Sequence, residues 1–211
     1  PETFGFDTIT SSKVVEGKFT LKGSLDVPSL VYPRFIVEVD YVNAEGDTKT
    51  TKIACTDAVA LENGHFYYDA WVRDFSTRTF VGGKLHQNIY QLERENTEIY
   101  NLKREYESTV SYARVQKMNG TPQTEINKYI GDYQKIYKDY KSALGNYISE
   151  KINGEIPTIE KALLLEAHGL SNIENEDLIK SVHSDISTEF GEESFHFQYL
   201  STLIEKESKL S

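Results

Sequence analysis

Five histidines and a single cysteine are the side chains best suited to covalent, acid–base or metal chemistry, and none stands in a spacing that commits it to such a role. Cys55 has no second cysteine in the chain, so there is no Cys-x-x-Cys redox pair, no internal disulfide and no thiolate metal cage. Lys52 is the one nearby cation in sequence that favours a thiolate, and a place in a predicted strand makes Cys55 a small core residue. His168 precedes Gly169 at a predicted helix end, where an imidazole suits exposed carbonyls and the helix dipole, so a capping role is expected. Glu193 and His196 share one predicted helical face, but two ligands without a third do not hold a metal, and His65, His86 and His183 show no ligand spacing. The expectation is no catalytic residue, no cofactor and no metal.

Residues suited to binding lie in the second half. Ile126, Ile130, Tyr133, Tyr137, Tyr140, Leu144, Tyr147, Ile148 and Ile152 recur at three-four spacing and predict one long amphipathic helix. Its tyrosines suit packing on a preceding β domain with their hydroxyls at the rim. Tyr129, Ile136 and Ala143 add a second apolar stripe, wider than one neighbour needs, and are the candidate interface for a homodimer or for a further domain. Asn119-Gly120-Thr121-Pro122 opens this helix: Gly120 tolerates positive φ, Thr121 caps and Pro122 takes the first helical position. Asn153-Gly154 ends it in a left-handed cap. Further helices are expected over 156–167, stopped at Gly169; over 176–190, capped by Asn175 and broken by Gly191; and over 192–209. Residues 119–211 read as an α-helical region.

Residues 1–118 read instead as an antiparallel β-sandwich, making the chain α+β. Phe19, Leu21 and Leu25 alternate with polar residues, 34–42 and 48–55 flank the turn Ala44-Glu45-Gly46-Asp47, and Asn63-Gly64 joins 59–61 to 65–72 as a second hairpin. Gly82-Gly83 breaks the chain before expected strands at 87–92, 98–102 and 109–115. A rival reading makes 84–117 a coiled-coil helix, with Leu85, Ile89, Leu92, Asn96, Ile99, Lys103, Tyr106, Val110 and Ala113 at three-four spacing. Asn96 and Lys103 at core-like positions and the β composition of Thr109-Val110-Ser111-Tyr112 favour strands.

The 211 residues carry a net charge of −10 with basic residues scattered among acidic ones, so no nucleic-acid footprint is expected, and no apolar run reaches the length of a membrane span.

Phe19-Thr20-Leu21-Lys22-Gly23-Ser24-Leu25, Glu62-Asn63-Gly64-His65-Phe66 and Tyr90-Gln91-Leu92-Glu93 ahead of Asn119-Gly120-Thr121-Pro122 resemble the N-terminal region of Bacteroidetes thioredoxin-like thiol–disulfide oxidoreductases. The resemblance covers nearly the whole chain. It implies a non-catalytic module that positions, dimerises or recruits partners for a C-terminal thioredoxin-fold domain absent here, in the cell envelope or periplasm, with lipid anchoring of the full-length protein. The alternative is a structural or adhesion protein, such as a phage virion component with an immunoglobulin-like domain and a coiled-coil arm. Strands over 84–117 favour the first reading and a long helix the second.

Overall fold

The computed structural model describes residues 10–16, 18–43, 45–56, 58–71, 74–170, 173 and 175–208. Its architecture is mixed α+β, with helices dominating. Strands β1 (Ser29–Val31), β2 (Arg34–Val42), β3 (Thr48–Thr56), β4 (Val59–Leu61), β5 (Tyr67–Trp71) and β6 (Asp74–Val81) precede helices α1 (Lys84–Tyr90), α2 (Leu92–Glu95), α3 (Thr97–Met118), α4 (Gln123–Asn153), α5 (Thr158–His168), α6 (Glu176–Phe190) and α7 (Phe195–Ser208).

Among the described residues the strands form three two-stranded antiparallel ladders, and no β-sandwich is shown. The β2–β3 hairpin has the predicted turn, with register from Arg34 opposite Thr56 to Val42 opposite Thr48. Asn43 Oδ1 accepts the Asp47 N–H at 2.8 Å, the local side-chain bond that makes Asn a turn former. The second hairpin is β5–β6 rather than the predicted pairing across Asn63-Gly64, because β4 pairs with β1, Leu30 opposite Ala60. Asn63 serves a different purpose: its amide clamps the Leu25 backbone through Leu25 N–H to Oδ1 at 3.0 Å and Nδ2 to the Leu25 carbonyl at 2.8 Å. Residues 19–25 form no strand despite their alternation, and Leu21 is exposed.

The strands predicted at 87–92, 98–102 and 109–115 are helices. Asn96, which counted against a helix as a core-like position, is the N-cap of α3: its Oδ1 accepts the N–H groups of Glu98 at 3.0 Å and Ile99 at 3.2 Å. The entry to α1 needs its two glycines, since Gly82 has φ 110° and a Cβ there would fall 2.7 Å from the His65 carbonyl oxygen. At Gly83, φ 74°, it would fall 2.5 Å from the Phe66 ring.

Downstream the predicted helices form within a few residues of their expected limits, with position 209 outside the described residues. Asn175 caps α6 as expected, accepting Leu178 N–H at 3.1 Å. Two cap details differ. Thr121 donates its hydroxyl to Gln116 Oε1 at 2.8 Å and Pro122 is the residue before the helix, so Thr121 is not the cap. Gly154 is extended, φ −80° and ψ 178°, rather than left-handed.

The core centres on α5. Ala162, Leu163, Leu164 and Leu165 are consecutive and fully buried, so this stretch of α5 is enclosed on every side. Around them pack Ile89 of α1, Leu144, Ile148 and Ile152 of α4, Ile186 of α6 and Leu200 of α7, with the β1–β4 ladder joining through Leu30 and Ala60.

Candidate functional site

The last three turns of α4 enter this core, while its first half lies along α3 to make a two-helix arm. At 1.5 Å per residue, the 22 residues of α3 and 31 of α4 span roughly 33 and 46 Å. Tyrosines tie one side of the arm together. Tyr106 of α3 lies 5.0 Å from Tyr133, 5.1 Å from Tyr137 and 6.2 Å from Tyr140 of α4, ring centre to ring centre. The hydroxyls of Tyr106 and Tyr133 share a 3.1 Å hydrogen bond, which with desolvation pushes the Tyr106 phenol up to about 12. These tyrosines therefore pack on α3 and not on a β domain. At the base of the arm, the Tyr147 hydroxyl and Lys151 Nζ donate to Glu95 Oε2 at 3.0 and 2.7 Å, and the Lys151 bond holds the Glu95 carboxyl below its usual range.

A groove of about 700 Å³ runs between the two helices. Leu102 and Tyr112 of α3 and Ile136 of α4 supply its apolar lining, and Glu105, Asp132 and Asp139 supply carboxylates, with Lys135 beside them. Of the predicted interface residues, Ile136 is half-buried in this groove and Ala143 packs against the core. The Tyr129 side chain lies outside the described residues, as does that of Cys55. Sequence reasoning missed the contribution of α3, because Leu102 and Tyr112 were assigned to strands. Towards the tip of α3, Tyr112 is 47% exposed, Val115 49% and Met118 81%, so the arm presents apolar surface to solvent.

His86, His168, His183 and His196 are tied into the fold, whereas His65 is exposed. His168 carries out the expected capping chemistry, but on another helix: its Nε2–H donates to the Ile89 carbonyl at the end of α1 at 2.7 Å. Glu193 and His196 do not come together as one helical face, since α7 begins at Phe195, Glu193 is exposed and His196 is buried. His196 Nδ1 instead meets Glu166 Oε1 of α5 at 2.7 Å, with 4% and 1% side-chain exposure. Burial raises the Glu166 carboxyl above its usual range, outweighing the opposing hydrogen bond from His196. Tyr32 and Tyr199 are raised by burial too, with the Glu166 charge adding to both. A second buried carboxylate on α5, Glu160, accepts from Asn88 Nδ2 of α1 at 2.9 Å. His183 and Ser201 form a juxtaposition not legible in sequence, with Nε2 to Oγ at 2.7 Å. Ser201 donates its proton to the Phe197 carbonyl at 2.8 Å, so it accepts from the imidazole and is not activated as a nucleophile.

His86 is held between Phe80 and Tyr90, at ring-centre distances of 4.3 and 5.1 Å, and its Nδ1 accepts the Ala60 N–H at 3.3 Å. Burial lowers its pKa to about 4, so the folded protein keeps the ring neutral where the unfolded chain protonates it. The stability this contributes is complete above the ordinary value of 6.5 and is lost as pH falls from there towards 4. Thermal melts across that window should show a falling midpoint, and His86→Phe should flatten the decline if the mutant keeps its fold. A slope unchanged in a folded His86→Phe protein would exclude His86 as its source.

Among the described residues no group of three or more His, Cys, Asp or Glu converges as a metal site, and no helix is long and apolar enough to cross a membrane. No protein-family model, curated protein or solved structure matches the chain.

Proposed function

We propose that this chain is a non-catalytic protein-interaction module of structural or adhesion type whose working part is the α3–α4 arm. The observation that carries this reading is the arm itself: two long antiparallel helices, joined on one side by a tyrosine stack, leave a groove around Ile136 and exposed apolar residues towards the end of α3. Helix rather than strand over 84–118 is the feature that favours this role over an N-terminal β module of an envelope oxidoreductase. The oxidoreductase reading, with its envelope location, rests on the short motifs at residues 19–25, 62–66, 90–93 and 119–122, and the gene's full reading frame tests it: a thioredoxin domain with Cys-x-x-Cys beyond Ser211 would restore it.

Ile136→Asp tests the arm. An interface at this position should lose self-association or partner capture while circular dichroism stays that of wild type, because the new carboxylate lands in a groove open to water. If Ile136 were ordinary core, the change would bury an unpaired carboxylate and unfold the protein. Sedimentation of a wild type that is monomeric at all concentrations, together with an unfolded mutant, would discard the interface.

A further inference from the structure

Building on the arm as an interaction surface, we propose that its groove takes a cationic amphipathic helical segment of a partner protein. Leu102, Tyr112 and Ile136 offer apolar contacts of the kind that receive the i, i+3 and i+4 side chains of a docked helix. Charge selects among such helices. Glu105, Asp132 and Asp139 against the single cation Lys135 leave the lining two charges negative, three carboxylates minus one ammonium. Asp132 and Asp139 stand seven residues apart on one face of α4, about 10 Å along its axis, with Ile136 between them. A helix lying alongside α4 with lysines or arginines seven residues apart, and a leucine-like residue between, matches both carboxylates and the apolar position in one register. A second copy of this chain docking through the same groove is the weaker occupant, because a two-fold contact would set the carboxylates of the lining against each other.

The probe is a synthetic, fluorescently labelled amphipathic peptide of about 14 residues with lysines seven apart flanking leucines, beside an analogue with glutamates in place of the lysines. Fluorescence anisotropy with the full chain should show saturable binding of the lysine peptide, at least about tenfold weaker at high than at low salt, and no comparable binding of the glutamate peptide. Both aspartates are exposed, so Asp132→Lys with Asp139→Lys should leave circular dichroism unchanged, cut lysine-peptide affinity at least about tenfold and confer binding of the glutamate peptide. Equal binding of both peptides, or binding indifferent to the charge reversal, would overturn the cationic occupant. If neither peptide binds but wild type self-associates and Ile136→Asp abolishes it, the occupant is wrong and the arm reading stands; if neither peptide binds and wild type stays monomeric, both fall.

Discussion

His196→Leu is expected to lower the unfolding free energy at neutral pH by about 3–5 kcal/mol, the range for leaving a buried carboxylate without its partner. The imidazole lies 2.7 Å from Glu166 with both side chains almost wholly out of solvent, so the mutant leaves a carboxyl on α5 without the group that holds it. Burial already raises the Glu166 pKa against the opposing hydrogen bond from His196, and losing that bond raises it further. A carboxyl raised in the folded state contributes stability below its unfolded pKa and loses it as pH rises through the folded one. The deficit of the mutant relative to wild type should therefore grow from acid towards neutral pH. Replacing both residues by leucine removes the unpaired charge and should recover much of the loss. Urea melts of wild type, single and double mutants at two pH values measure all three statements. A single mutant within about 0.5 kcal/mol of wild type would mean that the pair contributes no more than a surface contact.

Leu164→Ala is expected to cost about 2–5 kcal/mol through the lost transfer of buried methyl groups and the cavity left behind. Leu164 is fully buried on α5, whose neighbours come from β1, α1, α4, α6 and α7, so a void there cannot close by moving a single element. Against a total stability of roughly 5–15 kcal/mol typical of a domain, such a loss leaves little reserve. Val115→Ala, at a site 49% exposed, should stay within about 0.5 kcal/mol. Denaturant midpoints of the two variants check the contrast, and equal small shifts would show that α5 is not the centre of the core.

The buried polar ties add a constraint that apolar packing alone lacks. Asn88 to Glu160 and His168 to the Ile89 carbonyl fix α5 against α1, while Glu166 to His196 fixes it against α7. A rotation of α5 about its axis would keep much of its apolar burial, since Ala162 to Leu165 cover every side, but would strand two carboxylates in the interior.

The sequence by itself determined the helices after Pro122, because their signals are local. Asn175 and Gly191 sit at the ends of α6, Gly169 follows α5, and three-four spacing carries Tyr133, Tyr137, Tyr140 and Leu144 along α4. The β2–β3 hairpin was legible for the same reason, with Ala44-Glu45-Gly46-Asp47 marking the turn, although the Asn43 bond to Asp47 that closes it was not read there. Only the tertiary structure decided residues 84–118. Thr109-Val110-Ser111-Tyr112 favours a strand by composition, but α4 offers Tyr106 a long aromatic partner, and that contact with the Asn96 cap overrides a weak β preference. Strand partnership was decided there as well, since β4 chooses β1 across some thirty residues rather than its neighbour β5. So were Glu166 with His196, thirty residues apart, and the groove, whose two walls come from helices that meet only after the chain reverses at Gly120. Local backbone preferences can be read one turn at a time; contacts between distant side chains exist only once the helices have packed.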